Sequence, residues 1–132
     1  MGVSVVEVER KLPVSPDAAR EARRVLGPLA EHLERQEFDD LRLLVTELVT
    51  NSLRHAGLGP GDAIELAVRV DAASVRVEVR DSGKGFDLPP VRGNHSDAEG
   101  WGLHLLGRIA DRWGVEREPA TCVWFEIDIE IQ

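Results

Sequence analysis

Leu43-Leu44-Val45-Thr46-Glu47-Leu48-Val49-Thr50-Asn51-Ser52-Leu53-Arg54-His55-Ala56 decides how this chain is read. Apolar side chains at Leu41, Leu44, Val45, Leu48, Val49 and Leu53 recur at the spacing of one helix face. Asp39 or Asp40 opens that helix and Gly57 ends it. Beside the apolar stripe runs a polar row, Glu47, Asn51 and His55, four residues apart and so on one side, turn over turn. A carboxylate and a carboxamide that converge there could hold a hard cation such as Mg²⁺ through oxygen ligands. Mg²⁺ keeps water and phosphate in its shell, so a lone asparagine suffices. The glutamate is then free to act as a general base on a neighbouring hydroxyl or water. A solvated helix face ending in a histidine accounts for the spacing equally well.

Two further signals lie downstream. Arg80-Asp81-Ser82-Gly83-Lys84-Gly85-Phe86 follows an alternating strand directly. A carboxylate at a strand end, followed by Gly-x-Gly, offers an acceptor beside a backbone that a ligand can approach closely. Such an acceptor suits an exocyclic amine like that of adenine, and a tight turn needs the same residue types. Glu99-Gly100-Trp101-Gly102-Leu103 precedes an apolar-periodic helix. Backbone N–H groups bared by glycine at a helix start form an anion site, and a plain glycine hinge is the other reading. Neither a Walker loop nor a dinucleotide fingerprint fits these spacings.

Around these signals the chain organises as one unit over residues 1–132, without repeat or linker. Val3 to Lys11 alternates as a strand. Ser15 caps a helix with Pro16 at its first position. Ala19, Ala22, Val25, Leu26, Leu29 and Leu33 carry the helical spacing to about Glu37, with Gly27-Pro28 set to kink or break it. Ile64 to Val70 and Val75 to Val79 form a hairpin joined at Asp71 to Ser74. Asp81 to Glu99 is mostly irregular, Gly102 to Trp113 helical, and Cys122 to Ile131 a closing strand. Strand, two helices, hairpin, helix and strand make an α+β two-layer sandwich, a sheet covered on one face by helices.

Composition narrows the function. The 132 residues are 42% hydrophobic and 30% charged, enough for a packed core and too polar for a membrane-embedded chain. No apolar run spans a bilayer, and Met1 to Glu7 carries neither a secretion signal nor a convincing acylation site. The single Cys122 forms no internal disulfide and suits the cytoplasm. A net charge of -8, with no basic cluster, argues against direct nucleic-acid binding.

Taken in order, the three signals resemble the ATP-binding fold of gyrase-type ATPases and histidine kinases. Within that group they are most similar to the small anti-sigma factor serine kinases. Leu43 to Ala56 resembles that family's first motif, Val77 to Gly85 its second, and Gly100 to Val115 its third; the likeness runs from about Val14 to Ile129. The resemblance implies a Bergerat fold with a mixed, mostly antiparallel sheet and helices on one face. It implies ATP and Mg²⁺ as cofactors, Asn51 as the metal ligand and Glu47 as the catalytic base. Asp81 would accept from the adenine amine, with Gly83 and Gly85 shaping its pocket, and Gly100, Gly102 and Leu103 would close a loop over the phosphates. It further implies serine/threonine kinase activity toward an anti-anti-sigma antagonist, a sigma factor as second partner, and a homodimer. His55 matches a recurrent position as a packing or pocket residue.

Glu47 separates subfamilies, because a serine hydroxyl needs deprotonation whereas an imidazole does not. It disfavours a detached histidine kinase domain and leaves a non-catalytic, nucleotide-dependent binding module as the alternative. The chain departs from the family at Pro119-Ala120-Thr121-Cys122-Val123-Trp124, where a glycine and a threonine are usual. Either Thr121 or Cys122 could stand for that threonine, and Cys122 reads as core on its own. Trp101 either covers the nucleotide, docks a partner or is simply a half-buried aromatic. The lid, Asp87 to Glu99, is short and poor in basic residues.

Overall fold

The computed structural model describes residues 5–55, 59, 61–81, 101–116 and 120–129. Its elements run β1 (Val6–Leu12), α1 (Ala18–Leu26), a 3-10 segment (Gly27–His32), α2 (Arg35–His55), β2 (Ile64–Val70), β3 (Ser74–Asp81), α3 (Trp101–Ile109), β4 (Arg112–Glu116) and β5 (Thr121–Asp128). The five strands form one sheet in the order β1-β2-β3-β5-β4.

Strand alternation assigns the two faces. Ile64, Leu66, Val68 and Val70 of β2, Val75, Val77 and Val79 of β3, and Val123, Phe125 and Ile127 of β5 are all buried. The helices cover this side with Ala18, Ala22, Val25 and Leu26 from α1, Leu41, Leu44, Val45, Leu48 and Val49 from α2, and Leu106 from α3. Each fully buried Leu, Val or Phe side chain contributes about 1.5–3 kcal/mol relative to exposure. The expected two-layer α+β sandwich is therefore what forms. Among the described residues no helix is long and apolar enough to cross a membrane.

The opposite face is open and ionic. Arg76 bonds to Glu78 at 3.2 Å and to Glu126 at 3.1 Å, and Arg112 to Glu126 at 2.7 Å and to Asp128. The Arg76 guanidinium lies 4.5 Å from the ring centroid of Trp124. Gly114, opposite Trp124 in the β4–β5 register, leaves room for that ring: a Cβ there would sit 2.7 Å from the indole Nε1.

Several expected boundaries shift. The long first helix breaks at Gly27-Pro28, where the ring of Pro28 removes a donor and the backbone tightens into the 3-10 segment. The second helix starts at Arg35, four or five residues before Asp39 or Asp40. Glu37 reaches back to accept a 2.8 Å bond from the Glu34 N–H, and the Phe38 N–H bonds to the Glu34 carbonyl, so Glu34 serves as the cap. The hairpin forms as expected. Asp71 Oδ1 accepts from the Ala73 and Ser74 N–H groups at 2.8 and 2.9 Å and fixes the turn. The helix expected from Gly102 to Trp113 stops at Ile109, and β4 takes Trp113. The apolar pair Trp113 and Val115 alternates across Gly114 onto Phe125 and Val123, a period-2 pattern too short to stand out in the sequence. The sheet was expected to be mixed, but all four described pairings are antiparallel. With Arg112–Glu116 in a strand, the last two strands pair as antiparallel neighbours, and no parallel crossover is left among them.

Candidate functional site

β3 and β5 place two polar side chains where the core pattern calls for apolar ones. Val75, Val77 and Val79 point to the helix-covered side, and period-2 alternation puts Asp81 on that same side. Thr121 starts the equivalent row of β5, followed by Val123, Phe125 and Ile127. Asp81 and Thr121 are register partners, and opposite residues in an antiparallel pair have Cβ atoms about 4.5–5.5 Å apart. Both are buried, Asp81 at 1% exposure and Thr121 at 4%. A strand that could have ended in valine instead carries a carboxylate acceptor into the buried row. A carboxylate and a hydroxyl side by side can read the donor and acceptor edge of a purine.

The same register decides between Thr121 and Cys122. Cys122 pairs with Arg80 and Glu116, on the ionic side of the sheet. Burial raises its thiol pKa above the ordinary value, and the nearby Glu78 carboxylate pushes in the same direction. A protonated thiol on the far side of the sheet is no part of a cleft formed under the helices. Thr121 therefore belongs with Asp81.

α2 supplies the second half. Its buried stripe passes through Leu44 and Leu48, and its exposed side through Leu43 and Arg54. Glu47 and Asn51 are half-buried, at the border of the two. The helix packs on β3, on β5 and on α3. The carriers of Glu47, Asn51, Asp81 and Thr121 are thus direct neighbours, together with the helix that holds Gly102 and Leu103. Trp101, Gly102 and Leu103 form the first turn of α3. His55 closes α2. Gly83, Gly85, Gly100 and the Asp87 to Glu99 lid lie outside the described residues, so their expected roles stay expectations.

The geometry offers a buried acceptor pair at the end of the core and a carboxylate–carboxamide row on the helix above it. Among the described residues no group of three or more His, Cys, Asp or Glu side chains is placed to hold a metal ion.

Comparison with known proteins identifies the family. A family model described as a histidine kinase-like ATPase domain matches residues 12–127. The chain is 30% identical to the serine-protein kinase RsbW of Bacillus pumilus, over 93% of its own length and 86% of that protein. It is 26% identical to the anti-sigma F factor of Clostridium acetobutylicum, over 74% of each chain. In fold it is similar to the solved RsbU and RsbW domains of Rv1364c from Mycobacterium tuberculosis. That match has a TM-score of 0.63 and 17% identity, and covers 96% of this chain and 32% of that one.

Proposed function

We propose a function from one premise established by the matches above: the chain belongs to the histidine kinase-like ATPase domain family. On our reading it binds Mg-ATP, phosphorylates a serine on an anti-anti-sigma antagonist, and sequesters a sigma factor, with the phosphorylation deciding which partner it holds. The kinase and anti-sigma names of its relatives support this, and the observation that carries the site is the buried Asp81–Thr121 pair beneath α2.

Asp81 accepts from the adenine amine, with Thr121 beside it and the turn at Gly83 and Gly85 bordering the base. Gly100, Gly102 and Leu103 face the phosphates. Asn51 is the protein ligand of Mg²⁺, which when bound neutralises phosphate charge. Glu47 accepts the proton of the serine hydroxyl as its oxygen forms a bond to the γ-phosphorus. The bond from that phosphorus to the β-bridging oxygen breaks, and ADP leaves. A half-buried position suits a general base of this kind, because the carboxylate is reachable by a protein substrate yet shielded from bulk water. The working form on this reading is a cytoplasmic homodimer, as the resemblance implies.

The test is to incubate the chain with γ-labelled ATP and an extract of its own cells. Acid-stable label on a protein serine is expected, and Glu47→Gln should remove it while ATP still binds. Label that is acid-labile, or a labelling pattern indifferent to Glu47→Gln, would overturn the proposal.

A further inference from the structure

We infer that the open face of the sheet is an interface with a second copy of this chain, built on a two-fold axis that runs along β3. The axis lays the β1–β2 half of each copy over the β5–β4 half of the other. The inference rests on the homodimer of the reading above and assigns the face that it uses.

The four registers set the outward side chains in rows across the five strands. In the middle row Ala67 and Trp124 lie on either side of Glu78, each one strand away. Trp124 adds bulk to its half of the face, with its indole set against Gly114. Ala67 leaves the other half low, and two shallow hollows of about 300 and 210 Å³ both include it in their lining. Turning one copy about β3 brings its bulky half over the hollows of the other. A surface that carries its own complement at symmetric positions is what an isologous dimer requires.

Charge follows the same symmetry. In the row through Arg76, the axis sets Glu7 against Arg112 and Arg69 against Glu126 of the other copy. In the row through Arg80, it sets Lys11 against Glu116. All three pairings join opposite charges. Lys11 and Glu116 are exposed, and neither side chain makes an ion pair or hydrogen bond among the described residues. On the axis itself, Arg76 and Arg80 already bond to Glu78 at 3.2 and 3.4 Å, so their charge is partly neutralised within each copy. Packed sheets cross at about 30°, an offset that long charged side chains absorb.

The size of the contact sets its strength. Five strands about 4.8 Å apart, in rows about 6.8 Å apart, give a face of about 24 by 20 Å. Two copies bury about 1,000 Å², the low end for a specific interface. The dimer is therefore weak, reversible and salt-sensitive. The cleft proposed for nucleotide lies on the helix-covered side and stays open in both copies.

Sedimentation equilibrium of the full chain tests the assignment. Lys11→Glu and Glu116→Lys should each raise the dimer Kd about tenfold, because the symmetry breaks each contact twice. The double variant should return close to wild type. Within one chain these residues stand on opposite edges of the sheet, about 19 Å apart and beyond the screening length, so the rescue has no route inside a single copy. Melting temperatures of all three variants should match wild type, and Arg20→Glu, an exposed reversal on α1, should leave the dimer intact. A dimer indifferent to both reversals, or a double variant no tighter than either single one, overturns the face assignment. A chain that stays monomeric at every concentration would instead sink the homodimer itself.

Discussion

Asp81 and Thr121 face each other across the β3–β5 register, the last residue of one strand against the first of the other, both turned under the helices. On the proposed reading, that pairing gives purine contact to Thr121 rather than to the neighbouring thiol. Thr121→Val should lower ATP affinity about tenfold and Asp81→Asn more steeply, on the scale of a lost neutral and a lost charged hydrogen bond. Cys122→Ser should leave affinity unchanged. Calorimetric titration with ATP measures all three, and a weakened Cys122→Ser protein with a normal Thr121→Val protein would reverse the assignment.

Glu47 is assigned a chemical role and no share in holding nucleotide. Glu47→Gln keeps the shape and removes the base, so phosphoryl transfer should slow by roughly 10²–10⁴-fold at an unchanged Kd for ATP. Single-turnover transfer measured beside nucleotide binding separates the two. A parallel loss of binding would mean that the residue is structural.

Gly114 should not tolerate a side chain. An alanine Cβ would meet the Trp124 indole at 2.7–3.0 Å, and Trp124 cannot retreat without disturbing the Arg76 guanidinium stacked on it. Gly114→Ala should cost about 1–3 kcal/mol. In a Trp124→Ala background the same change should cost much less, because the clash partner is gone. Chemical denaturation of the four proteins provides the comparison.

Acid should weaken the ionic face of the sheet. The Arg112 guanidinium, hydrogen-bonded to Glu126, holds its carboxyl below the usual range. Arg76 adds to this and partial burial opposes it. A carboxylate with a lowered folded pKa stabilises the fold above its unfolded pKa of about 4.3. That contribution is lost as pH falls through the folded value. Glu126→Gln should therefore flatten the fall in stability between about pH 4.5 and the acid limit. It should not abolish the fall, since Asp71 and Asp128 are shifted in the same direction. Urea midpoints across the acid range would show the difference in slope.

Much of this was legible in the sequence because it rests on local periodicity. The Ile64–Val79 hairpin and the body of α2 follow from spacing alone. The start of α2 did not, because Glu34 and Glu37 cap it with a carboxylate reaching back from the third position, and Asp39 and Asp40 looked like better caps. β4 was hidden for another reason: Trp113 and Val115 are meaningful only against Phe125 and Val123, partners far along the chain. The polar row of Glu47 and Asn51 is visible in the sequence, but that this row borders the helix face packed on β3 and β5 is not. Choosing Thr121 over Cys122 required the register, a relationship that no single stretch contains.

The valine row of β3 ends in Asp81 without a break, so the carboxylate proposed to meet the nucleotide extends the same line of side chains that knits the sheet to its helices. Whatever grips that carboxylate also tightens the fold. Occupancy and thermal resistance are then one equilibrium: nucleotide at a hundred times its Kd would add about 2.7 kcal/mol, leaving the empty chain the more readily unfolded and degraded form.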